Sequence, residues 1–148
     1  MRPVREKYKI EGMKPVAVYT NPVEIPEKYC DSYGNHLNNA LALKLFEEER
    51  TRLFDKTGAH TEDYGLLGYV RQQAPMYLSQ IFAGEVLDLR TTLYVAGAAA
   101  IFHHVIEREG KPVLDNLVEF AIVDIEGRPA RIPQQLIDQF AGKGNYFN

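Results

Sequence analysis

Cysteine occurs once in this chain of 148 residues, at Cys30. No intrachain disulfide can form, and cysteine usage gives no sign of an oxidising compartment. Apolar runs are short as well: none reaches the roughly 18 residues that a membrane-spanning helix requires. The segment Met1-Arg2-Pro3-Val4-Arg5-Glu6-Lys7 is charged and lacks the apolar stretch of a secretory leader. The expectation is a cytoplasmic protein without a membrane partner. Basic excess is missing too, with 17 Lys and Arg against 20 Asp and Glu and a net charge of −3. With no basic run, no zinc-ligand spacing and no RNA-binding signature, neither nucleic acid nor a bound metal is expected. No internal repeat is visible.

Hydrophobic residues make up 45% of the chain and charged residues 25%, an ordinary composition for a globular protein. This length predicts one domain with one core. Residues 1–14 are mostly polar and broken by Pro3 and Gly12. They read as a loosely attached arm ahead of a domain spanning residues 15–148.

Chemistry concentrates between Tyr29 and Gly58. Gly34-Asn35 tolerates positive φ, so the chain can turn sharply after Asp31. Asn38 or Asn39 can cap a helix by accepting from an orphan amide of its first turn. From Asn39 to Lys56 there is neither Gly nor Pro, which predicts one long helix closed by Gly58. Its first half is apolar on nearly every face, whereas Lys44, Glu48 and Arg52 follow at i, i+4 spacing. The expectation is a helix that starts buried and ends in solvent. A buried helix start carries free N–H groups and partial positive charge. Beside the Asp31 carboxylate it could hold a developing oxyanion while the acid handles a nucleophile or a proton.

The rest of the sequence reads mainly as strand. Val16–Thr20 is β-rich, and Val23-Glu24-Ile25 extends it past Asn21-Pro22. Residues 69–81 form a run interrupted by Pro75, predicting a bulge or an edge strand there. From Glu85 to Val95 the pattern alternates, with Leu87, Leu89, Thr91, Leu93 and Val95 on one face. Turns at Ala96-Gly97 and Glu109-Gly110-Lys111 lead into strands over 98–108 and 112–124. Residues 133–140 suggest a short closing helix. Antiparallel hairpins around one apolar helix define an α+β domain.

The run Asp-x-x-Gly, His-Leu-Asn-Asn-Ala, Leu-Phe-Glu-Glu-x-Arg in residues 31–50 resembles the signature of hotdog-fold thioesterases of the 4-hydroxybenzoyl-CoA thioesterase type. The likeness spans roughly residues 15–141, and includes the Tyr77-Leu78 pair and Gly-Arg-Pro-x-x-Ile-Pro at 127–133. It implies a hotdog fold, an antiparallel sheet wrapped around one long central helix. It also implies hydrolysis of an acyl-CoA or acyl carrier protein thioester, with coenzyme A entering only as part of the substrate and no cofactor. A homodimer or dimer of dimers would join sheets edge to edge, the partner completing each pocket near residues 65–71.

On that resemblance Asp31 is the catalytic carboxylate, acting as nucleophile or as general base for water. Without it, Asp31 reads as a turn aspartate. Backbone amides at Asn39 and Ala40 would polarise the thioester carbonyl, with Tyr33, Gly34, His36 and Asn38 shaping the entrance. Glu47 is the rival carboxylate, because a second hotdog branch uses a glutamate within the helix; the bland reading puts Glu47, Glu48 and Glu49 on a solvated face. Cys30 lacks a partner histidine at diagnostic spacing, and His103 and His104 should point to opposite faces of a strand. Three features depart from the family pattern: Asn35 is inserted between the glycine and the histidine, Ala42 replaces a common aromatic, and residues 96–100 lack the hydroxyl and basic residues of many relatives. Two alternatives follow, a non-catalytic acyl-CoA or acyl-carrier-binding protein and a hotdog dehydratase.

Overall fold

The computed structural model describes residues 1–142. Five antiparallel strands form one sheet in the order β1-β3-β4-β5-β2, with β1 at Ala17–Glu24, β2 at Leu66–Tyr77, β3 at Val86–Ala96, β4 at Ala99–Arg108 and β5 at Lys111–Asp124. Helix α1 spans Val4–Lys7, α2 spans Asn39–Thr57 and α3 spans Gln134–Gly142. The strands with a proline in their interior, β1 and β2, lie at sheet edges, where a missing N–H costs no ladder bond, while Pro112 sits at the start of the internal β5 beside a register shift. Pro22 pairs opposite Asp88 within an unbroken β1. In β2 the register shifts between Val70 and Gln72 and runs on evenly through Pro75. The bulge thus lies upstream of the proline, whose edge position leaves pairing undisturbed.

Helix α2, 19 residues long, packs on one face of the sheet. Ala42, Leu45 and Phe46 meet Leu87, Leu89, Ile106 and Leu114. Further along, Phe54 joins Leu93, Phe102, Ile122 and the α3 residues Leu136 and Phe140. Asn38 is the cap, its Oδ1 accepting from Ala40 N at 2.9 Å and Leu41 N at 3.1 Å. Gly58 closes the helix at φ 70°, its N–H donating to Phe54 O. Burial recurs along the full length, at Ala42, Leu45, Phe46, Glu49, Arg50, Leu53 and Thr57. The expectation of a solvated second half is therefore corrected: one face stays against the sheet throughout, and it takes Glu49 and Arg50 with it. Glu49 is compensated, accepting from Asn21 Nδ2 at 3.1 Å and from the Arg52 guanidinium. Phe46 stacks on His104 with ring centroids 4.9 Å apart.

The arm is bound more tightly than its polar composition suggests. Val4 is buried with Tyr94, Ile101 and Leu117 on the opposite face of the sheet. Arg5 Nη2 donates to Ala74 O, and meets Asp115 Oδ1 at 2.9 Å. Lys7 Nζ lies 2.9 Å from the buried Glu119 carboxylate, which also takes Arg71 Nε at 2.9 Å and the Tyr8 hydroxyl. The buried Val4, two ion pairs to β5 and the Arg5 bond to Ala74 O latch the arm across β5 and β2.

Candidate functional site

The turn from Cys30 to Asn38 folds back on itself. Asp31 N donates to His36 O at 2.9 Å, and Cys30 bridges to Leu37. Gly34 at φ 84° and Asn35 at φ 55° make the reversal, using the two residue types that tolerate this region best. At Gly34 the need is also steric, because a Cβ there would sit 2.9 Å from His36 Nδ1. Asn35, which reads as an insertion against the family pattern, lies within this turn. The turn leaves Asp31 facing the start of α2.

Asn38 joins the two halves of the site. Its Oδ1 caps α2 while its Nδ2 donates to Asp31 Oδ1 at 3.1 Å. His36 Nε2 lies 3.6 Å from Asp31 Oδ2. The Asp31 side chain is 43% exposed, so it is held and also reachable. Ala40 N and Leu41 N are taken by the Asn38 side chain, and Ala42 N by the Asn38 carbonyl at 2.9 Å. Asn39 N–H is the amide of this first turn that Asn38 does not take up. Tyr77 Oη donates to Asn39 O at 2.7 Å, pinning that residue to the end of β2. Between them opens a cleft of about 320 Å³, lined by His36, Leu37, Asn39, Tyr77, Ser79 and Ile81 among others.

The structure therefore brings Asp31, His36, Asn38 and Asn39 together. Tyr33 stands apart at the tip of the turn, 90% exposed. Glu47 lies eight residues into α2, about 12 Å along the axis at 1.5 Å per residue, and lines a different cavity. Glu48 accepts from the Tyr29 hydroxyl. Cys30 Sγ donates to Pro26 O at 3.5 Å, and burial pushes the thiol up, with Asp31 and Glu27 adding to the effect. That environment suits a structural thiol and opposes a thiolate nucleophile. His103 and His104 do face opposite sides: His103 meets Asp115 at 3.0 Å beneath the arm, and His104 lies under α2. Among the described residues no group of three or more His, Cys, Asp or Glu could hold a metal ion, and no helix is long and apolar enough to cross a membrane.

Two features escaped sequence reading. Tyr77 and Ser79 reach the helix start from a strand end some forty residues downstream, a proximity that only the sheet creates. Arg50 is buried among apolar neighbours; its place in a charged run concealed this, although its i+4 spacing from the buried Phe46 was a usable signal.

With this geometry in view, residues 25–140 match the model of the Thioesterase-like superfamily. The chain belongs to that family. Solved structures agree in fold. YbaW, a probable thioesterase from Escherichia coli, is 22% identical with a TM-score of 0.68, covering 86% of this chain and 99% of that one. A 1,4-dihydroxy-2-naphthoyl-CoA thioesterase from Synechocystis is 10% identical with a TM-score of 0.70, over 84% and 96%. A Staphylococcus aureus protein solved in complex with CoA is 18% identical with a TM-score of 0.69, over 84% and 82%. No curated protein matches the sequence.

Proposed function

We propose that this protein is an acyl thioester hydrolase of the 4-hydroxybenzoyl-CoA thioesterase type, with α2 as the central helix of a hotdog fold. The observation that carries the reading is Asn38, which ties the Asp31 carboxylate to the amide end of α2 through one side chain. The thioester carbonyl sits at the helix start, its oxygen accepting from Asn39 N–H. Removing a donor of that kind costs about 3 kcal/mol in the transition state. Asp31 delivers the attack on the carbonyl carbon, directly or through a water it deprotonates. If Asp31 attacks, the C–S bond breaks to give an acyl–aspartyl anhydride, which water then cleaves to the free acid and Asp31. If water attacks, the acid forms directly, and in both routes the water's proton ends on the departing coenzyme A thiol. Asn38 and His36 position the carboxylate, and Tyr33 and Gly34 belong to the rim over which the carrier enters. Neighbours named as thioesterases, and one solved with CoA, support an acyl-CoA substrate.

The working unit in this reading is a homodimer, alone or paired into a tetramer. Strand β2 is an edge with exposed Leu67, Tyr69, Val70 and Met76. An apolar edge of this length invites pairing with another strand, and a second copy of β2 gives a closed two-fold contact. The test is release of free thiol from a panel of aromatic and short- to long-chain acyl-CoAs. Turnover of some member is expected, and no turnover of any CoA or carrier-protein thioester would leave an acyl-binding protein instead.

A further inference from the structure

Arg50 differs from every other charged residue of α2. It is 4% exposed, yet no carboxylate among the described residues lies within ion-pair distance. Its Nη1 is 3.1 Å from His104 Nε2, and its guanidinium lies 5.3 Å from the Phe120 ring centroid. His104 does not neutralise it. Nε2 must accept from Arg50, so Nδ1 carries the proton and donates to Thr91 Oγ1 at 2.8 Å. Burial, then the Arg50 and His103 charges, hold His104 well below the ordinary histidine range, which keeps the ring neutral. Burial also lowers Arg50 to about 10, with the Glu47 charge one turn away working against it, which leaves it a cation at neutral pH. A buried cation that no carboxylate contacts is costly, and Glu47 offsets it only from a distance.

The space beside Arg50 decides what can reach it. Arg50 lines a second cavity of about 580 Å³, which shares no lining residue with the cleft at Tyr77 but begins at Ala40 and Leu41, next to Asn39, and runs past Leu43, Gln73 and the β2 residue Tyr69 to Phe120. Behind the lining residue Gln73, the buried Asn116 donates from Nδ2 to Gln73 Oε1, and Asn116 Oδ1 has no partner among the described residues. Lys44 and Glu47 also face the cavity, so with Arg50 its net charge is positive. A second copy of β2 brought along the edge would not neutralise it, because residues 66–77 include Arg71 and no acid. Eleven residues separate Asn39 from Arg50, about 16 Å of helix. Long helical side chains lean back toward the N-terminus by about one turn, which leaves about 11 Å from the carbonyl site to the guanidinium.

We infer that the acyl group held by this protein ends in a carboxylate that pairs with Arg50, making the substrate class ω-carboxyacyl thioesters. This rests on the thioesterase reading for where the carbonyl lies. Hexanoyl-, octanoyl- and decanoyl-CoA are compared with their ω-carboxy counterparts, by kcat/KM and by calorimetric titration of non-cleavable thioether analogues. The ω-carboxy member is favoured at least tenfold at one of these lengths. In Arg50→Met the preference disappears, because kcat/KM for the ω-carboxy member falls at least tenfold relative to that for its plain acyl partner. Equal treatment of each pair by the wild type overturns the inference whether or not Arg50→Met folds. Equal loss on both members in a folded Arg50→Met also overturns it, since that is a structural role. If no thioester is cleaved but the analogues still bind with an Arg50-dependent carboxylate preference, the hydrolase reading fails and the acyl-end assignment stands.

Discussion

Asn38 is the residue whose replacement separates folding from chemistry. Asn38→Ala removes the α2 cap, worth about 1 kcal/mol. It also removes a hydrogen bond to Asp31, worth about 1.5 kcal/mol to a charged acceptor but nearer 0.5 for one as exposed as this. The sum of about 1.5 kcal/mol lowers Tm by about 3–6 °C in a domain of this size. Asn38→Asp has a different effect. An aspartate keeps both capping acceptances, at 2.9 and 3.1 Å, and its charge suits a helix N-terminus. It also sets a second carboxylate where Nδ2 now stands 3.1 Å from Asp31. Like charges about 4 Å apart repel by about 1–4 kcal/mol between bulk water and a protein surface. Thermal unfolding and the pH profile of thioester hydrolysis are measured on both variants. The alanine variant loses Tm at every pH, whereas the aspartate variant loses it mainly at neutral pH and recovers in acid. The repulsion that moves the acid limb of kcat/KM upward by at least about one pH unit also costs about 1.4 kcal/mol of stability while both carboxylates are ionised. An Asn38→Asp enzyme with wild-type Tm and an unmoved profile would refute the link between the helix cap and the catalytic carboxylate.

Other perturbations test separate parts of the account. Gly34→Ala places a Cβ 2.9 Å from His36 Nδ1 at φ 84°, so a loss of about 1–2 kcal/mol in urea unfolding should accompany displacement of the His36 ring resonances. Glu119 is pulled from the ordinary 4.5 to about 2, against the opposing effect of burial, by Arg71, Tyr8 and Lys7. Its folded value is depressed, so its stabilising contribution is full above about pH 4.5 and is lost as pH falls toward 2; Glu119→Gln should flatten that part of the acid-unfolding curve. Light scattering should find the proposed dimer in the wild type and a monomer in Tyr69→Asp, on the exposed β2 edge; a dimer that survives would place the interface elsewhere.

What the sequence makes legible depends on how local each signal is. The limits of α2 follow from Asn38, from the missing Gly and Pro, and from Gly58, all within one stretch of chain. The strands over residues 86–124 are separated by Gly97 and Glu109-Gly110, each at positive φ, so the hairpins are readable too. Long-range burial is not legible in this way. Glu49 and Arg50 look like members of a solvated run because their partners Asn21 and His104 lie on strands far away in sequence. The arm reads as loose because Glu119, which holds it, is more than a hundred residues on and sits mid-strand. At the site, Asp31, the turn and the helix cap are local and readable. Tyr77 and the Arg50 cavity require the sheet to bring β2 beside α2.

The central claim is that Asp31, and not a carboxylate within the helix, performs thioester cleavage. Thiol release is measured side by side for wild type, Asp31→Ala and Glu47→Ala on the best acyl-CoA of the panel, with unfolding curves confirming that each variant folds. The account predicts that Asp31→Ala loses at least about 100-fold in kcat, near 2.7 kcal/mol, while Glu47→Ala stays within a few fold of wild type. Full activity in Asp31→Ala together with collapse in Glu47→Ala would contradict it and move the chemistry into the middle of α2.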